Sequence, residues 1–100
     1  MLHTVNKSPF ERNSLDSCLR LAKKGSAILL IEDGVIAAMK GTQQSSKLEG
    51  ATGNQDIFVL GPDLKARGLS EDQVIDGIKV VDYSGFVDLV EERGAVNAWL

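Results

Sequence analysis

AILLIEDGVIAAMKG, residues 27–41, decides how this chain is read. The unbroken apolar run Ala27–Ile31 is the pattern of a strand covered on both faces, as in a parallel sheet. It runs directly into Glu32, Asp33 and Gly34, after which a second apolar stretch begins. Two acids at a strand end admit two readings. One is a general acid/base pair. The other is a junction, in which Asp33 caps a second helix through Val35, Ala37, Ala38 and Met39, Gly34 permits the turn and Gly41 ends the helix. Adjacent residues leaving a strand point to opposite sides, so the pair does not converge readily on one substrate. The junction is the stronger reading.

Working outward, the same strand-then-helix alternation recurs. Met1–Val5 reads as a first strand, and Pro9 discourages helix at Ser8. Asn13 is a suitable N-cap, with Asp16 near the positive end of the helix. Leu15, Cys18, Leu19 and Ala22 form an apolar stripe at i, i+3, i+4, i+7. Lys23 and Lys24 fall in the predicted last turn and Gly25 is predicted to end it. Residues 42–55 are polar and predict at most one weak helical turn. Asp56–Leu60 predicts a third strand. Pro62 opens a short helix that Gly68 ends. Ser70 and Gln73 have capping-box spacing. Ile78–Val81 predicts a fourth strand, and Asp82 or Ser84 caps a final helix with Phe86, Val87, Leu89 and Val90 inward and Gly94 closing it. The tail is Ala95–Leu100. Four alternations predict an α/β fold in a single small domain spanning residues 1–100: a mostly parallel open sheet with helices on both faces. Ligands and partners of such sheets meet the loops at the carboxyl ends of strands. Those are Asn6–Arg12, Glu32–Gly34, Gly61–Asp63 and Asp82–Gly85.

The totals narrow the function. One hundred residues give a modest core that association would help. A net charge of −3 argues against direct nucleic-acid binding, which needs a basic face. The longest apolar runs are too short to span a bilayer, and the N-terminus lacks the pattern of a signal peptide, so a cytoplasmic location is expected. The single cysteine excludes an internal disulfide and a structural zinc site within one chain.

Few residues offer chemistry. Cys18 is the candidate catalytic residue, as a nucleophile or persulfide carrier, which requires thiolate character and access. Its place in the apolar stripe favours packing instead. His3 is alone, without a second metal ligand, and no metal is expected. No cofactor is expected either: GTQQSSK lacks the P-loop ending and no G-x-G-x-x-G occurs, which counts against the rival reading as a small nucleotide- or flavin-binding domain. Lys65 and Arg67 are expected on a solvated helix face. Trp99, the only tryptophan, predicts that the tail docks on the protein's own sheet or on a neighbour.

Several segments together resemble one family. They are MLHTVNKSPFERNSL at the start, EDGVIAAMKGT at the junction, VLGPDLKARGL, and VVDYSGFVDL followed by AWL. In order and spacing they are similar to the DsrH family, called TusB in its tRNA-thiolating form. The HTVNKSPFER opening is the part most similar to the sulfur-oxidising branch. The resemblance implies a DsrE/F/H-like, flavodoxin-like sandwich. It implies a subunit of a DsrEFH (TusBCD) heterohexamer with DsrE/TusD-like and DsrF/TusC-like partners. Such a complex passes persulfide sulfur from a TusA-like donor to a DsrC/TusE-like acceptor, in sulfur oxidation or in 2-thiolation of tRNA wobble uridine. The principal cysteine of that relay belongs to the DsrE/TusD-like subunit, and the cysteine this family carries on its first helix corresponds to Cys18. On this reading the chain is a non-catalytic subunit, Cys18 as a carrier being the alternative. A homo-oligomer of the isolated chain is also compatible with it.

Overall fold

Burial of both faces of the central strands organises the molecule. The structure, a computed structural model, describes residues 1–10, 14–42 and 45–99. The strands are β1 (Leu2–Val5), β2 (Ala27–Leu30), β3 (Asp56–Leu60), β4 (Lys79–Val81) and β5 (Val96–Trp99). They form one sheet in the order β4-β3-β2-β1-β5, with every pair parallel. Every residue of β1 and β2 is buried, as the apolar run around Leu29 predicts.

The alternation of side chains splits the core into two layers. Val5, Ile28, Leu30, Ile57 and Val59 point to one face. Helices α1 (Ser14–Leu21), α2 (Ser45–Ala51) and α3 (Gly61–Ala66) cover it with Leu15, Cys18, Leu48 and Leu64. Leu2, Ala27, Leu29 and Phe58 point to the other face, where α4 (Tyr83–Arg93) lays Leu89 on them, with Phe86 and Val90 packed alongside. The α/β class, the parallel sheet and the helices on both faces are therefore as the sequence predicts. Among the described residues no helix is long and apolar enough to cross a membrane.

The departures have local causes. The tail is a fifth strand on the protein's own sheet, pairing Leu2 with Val96 and Val5 with Trp99. Its V-N-A-W pattern is too short and mixed to announce a strand without the β1 edge to receive it. The segment after β2 is a 3₁₀ helix, Glu32–Ala38, instead of an α-helix. Val35 and Ala38, both buried, recur at the three-residue spacing of that helix. The polar 42–55 segment holds the full helix α2, because one residue, Leu48, reaches the core completely. Helix α1 ends at Leu21, short of Lys23 and Lys24, although Gly25 does adopt a left-handed φ of 86°. Asn13, expected as its N-cap, lies outside the described residues. The capping box at Ser70 does not form; its hydroxyl donates to the Asp72 carboxylate, and a short 3₁₀ turn, Glu71–Gln73, follows. Val87 faces outward, 56% exposed, so the apolar face of α4 is narrower than its sequence suggests.

Candidate functional site

The carboxyl ends of β1, β2 and β3 meet in one corner. There Gly34 lies against the end of β1, where a Cβ would stand 2.1 Å from the Val5 carbonyl oxygen. Only glycine fits that approach. The preceding residue Glu32 takes a left-handed φ of 51°, unusual for a side-chain-bearing residue. It is held there by α3: the Glu32 backbone N–H donates to the Asp63 carboxylate at 2.6 Å. Arg67 donates its Nε–H to Asp33 at 3.0 Å and a guanidinium N–H to the Asp63 carbonyl at 3.3 Å. This corrects one expectation. Asp33 caps no helix, since Ile31 occupies the cap position without a side-chain bond; Arg67 is exposed, as expected, and pairs with Asp33 there. The two acids are parts of a clip between β2 and α3. Glu32 takes part through its backbone and Asp33 through its carboxylate, so the junction reading holds in a different form from the one predicted.

A second feature lies beside this corner, where β3 and β4 end and α4 begins. An open cleft of about 420 Å³ is lined by Gly61, Glu71, Val80, Val81, Asp82 and Gly85. Asp82 caps α4 as expected, accepting from the Gly85 N–H at 2.8 Å. Gly85 is needed for closeness, since a Cβ there would lie 2.9 Å from Val81 Cβ. The cleft offers two carboxylates, one already used as a cap. It presents neither a nucleophile nor a base beside one.

Cys18 is far from being displayed. It has 0% exposure within the core layer of α1, and burial pushes its thiol up to about 12. The thiolate is the reactive form, so this environment works against the reactivity of Cys18 in the folded chain.

His3 and Trp99 meet on the α1 side of the sheet edge. Trp99 Nε1–H donates to His3 Nδ1 at 3.1 Å, with ring centroids 6.2 Å apart. Burial first, and then the positive amino group at Met1, lower the His3 pKa from its ordinary value. Each of the two residues stands out in the sequence by itself. Their pairing required knowing that β5 lies beside β1 in parallel register, which no local pattern encodes. Among the described residues no group of three or more His, Cys, Asp or Glu side chains is placed to hold a metal ion.

A parallel five-stranded sheet with a glycine-tight carboxyl edge and a buried lone thiol fits the resemblance read from the sequence. A family model described as DsrH like protein matches residues 7–96. The chain belongs to the DsrH family. Full-length relatives agree. Protein TusB of Erwinia tasmaniensis is 41% identical over 99 residues, covering 99% of this chain and all of that protein. Protein TusB of Pectobacterium parmentieri is 38% identical, and that of Escherichia coli K12 36%, each over the same 99 residues, 99% of this chain and all of the relative. Among solved structures, the ychN protein from E. coli superimposes with a TM-score of 0.82 at 21% identity, covering 97% of each chain. A protein of unknown function from Methanobacterium thermoautotrophicum gives 0.73 at 17% identity, covering 97% of this chain and 96% of that one. At those identities the two structures bear on the fold alone. With the DsrH family comes the coarse role read above, a subunit in a sulfur relay.

Proposed function

We propose that this chain is a non-catalytic subunit of a DsrEFH/TusBCD-like heterohexamer, in which sulfur moves on cysteines of its neighbours. The observation that carries this reading is the full-length similarity to TusB together with a lone thiol that is wholly buried. DsrE/TusD-like and DsrF/TusC-like subunits are its partners, a TusA-like protein donates to the assembly, and a DsrC/TusE-like protein accepts from it. The relatives carry the name TusB, which favours 2-thiolation of tRNA wobble uridine as the destination over sulfur oxidation. The protein works in the cytoplasm, where its donor and acceptor are. Cys18 packs the core and carries no persulfide.

Co-expression with the DsrE- and DsrF-like subunits, followed by native mass measurement, tests the assembly. A two-of-each hexamer is expected, and a chain that stays apart from both partners overturns the reading. Nucleoside mass analysis of bulk tRNA from a strain lacking this chain tests the destination. Loss of 2-thiouridine derivatives is expected, and an unchanged level sinks that part.

A further inference from the structure

Beside the His3–Trp99 pair, at the amino end of the sheet and under the end of α1, lies a pocket of about 460 Å³. We propose that it binds a small organic anion with a flat apolar body, an aromatic carboxylate being the simplest member of the class.

The walls are apolar. The apolar lining is Trp99, Met1 and Leu21, the last two exposed by 55% and 62%. Large apolar side chains this exposed around a concavity mark a binding surface more often than chance.

The polar groups choose the ligand's charge. Trp99 Nε1 only donates, so His3 Nδ1 must be the acceptor in their bond, and a neutral His3 then carries its hydrogen on Nε2. His3 lines the pocket, and its Nε2–H meets no hydrogen-bond partner among the described residues. The Asn97 side chain projects from the same face of β5, in register with His3. Lys23 stands at the rim without an ion-pair partner among the described residues. No described acidic residue lines the pocket. The end of α1 would oppose an anion through its carbonyls, but the Ala22 carbonyl already accepts from the Gln55 amide at 3.3 Å. A hydrogen-bond donor, an amide and an ammonium around an indole wall therefore recognise an acceptor-bearing, negatively charged group on an apolar carrier. The volume lies within the range of small-molecule sites. This inference does not depend on the relay reading.

Trp99 is the only tryptophan, so its indole N–H gives a single, assigned reporter in a nitrogen–proton correlation spectrum. The probes are 2-naphthoate, its neutral counterpart 2-naphthylmethanol, and acetate. Naphthoate is expected to move the indole signal saturably, the alcohol to bind about tenfold more weakly, and acetate to leave the signal unmoved. Lys23→Gln is expected to weaken naphthoate about fivefold and leave the alcohol unchanged. Leu21→Asn is expected to weaken both. Both residues are exposed, so the variants retain the fold, which an unchanged melting temperature verifies. An indole signal indifferent to naphthoate overturns the proposal. So does equal affinity for acid and alcohol, or a Lys23→Gln variant that binds the acid as tightly as the parent.

Discussion

Alkylation of Cys18 measures how completely the core withholds the thiol. Lifting the thiol from its ordinary 9.0 to about 12 cuts the thiolate fraction near neutrality about a thousandfold. The more basic thiolate is a better nucleophile, which returns a factor of about 20 to 30. Electronic effects alone thus leave a slowing of about 30- to 50-fold. Access adds a larger one. Cys18 has no exposed surface, so an alkylating reagent reaches it only when the α1 layer opens. For an opening free energy of about 5 kcal/mol, the lower end of domain stability, the open fraction is about one in 5,000. The reaction through the open state is the faster of the two routes only because direct attack is sterically blocked. The assay is the rate of iodoacetamide modification, followed by intact mass, for native and urea-unfolded protein at pH 7.5. Native protein is expected to react at least about a hundredfold more slowly, and the protection is expected to shrink steadily with added urea. A native rate within a few-fold of the unfolded rate refutes the reasoning and returns Cys18 to the list of sulfur carriers.

Other outcomes follow from single residues. Gly34→Ala is expected to destabilise the fold by about 3 kcal/mol, since its Cβ would overlap the Val5 carbonyl at 2.1 Å; urea denaturation reads this directly. Asp82→Ala is expected to cost about 1 kcal/mol through loss of the α4 cap, with Asp82→Asn recovering most of it in the same assay. The folded His3 has a lowered pKa, so its neutral form contributes stability that is intact above the unfolded value near 6.5 and is lost as pH falls through the lower folded value. Protonation also turns Nδ1 from acceptor to donor. Trp99 fluorescence is therefore expected to change on acidification with a midpoint below 6.5, and the change is expected to vanish in His3→Phe. Cys18, whose folded value is raised, acts at the other end: its contribution is full below about 9 and is lost as pH climbs toward 12, which chemical denaturation at pH 8 and pH 10 compares.

The layered parallel sheet was legible because burial on both faces writes itself as an apolar run, at Ala27–Ile31 and again at Ile57–Leu60. Punctuation was legible where backbone geometry demands one residue type, as at Pro62, Asp82, Gly68 and Gly94. What escaped depends on partners distant in sequence. Asp33 looked like a cap because no local rule says that Arg67, 34 residues later, will claim it. Asp63 holding the Glu32 N–H, and Trp99 meeting His3, are of the same kind. Helix α2 escaped because a single buried Leu48 carries no periodicity. The buried setting of Cys18, by contrast, was present in the Leu15–Ala22 stripe.

The pairing of β5 with β1 joins residues more than ninety positions apart. A growing chain that has not yet presented Val96–Trp99 leaves one side of β1 bare and His3 without its indole. Pairings of such long reach form late, and an unfinished strand edge invites wrong pairing with other chains. Synthesis itself therefore sets a checkpoint: β1, which emerges before β5, stays open to strangers until Val96–Trp99 arrives to close it.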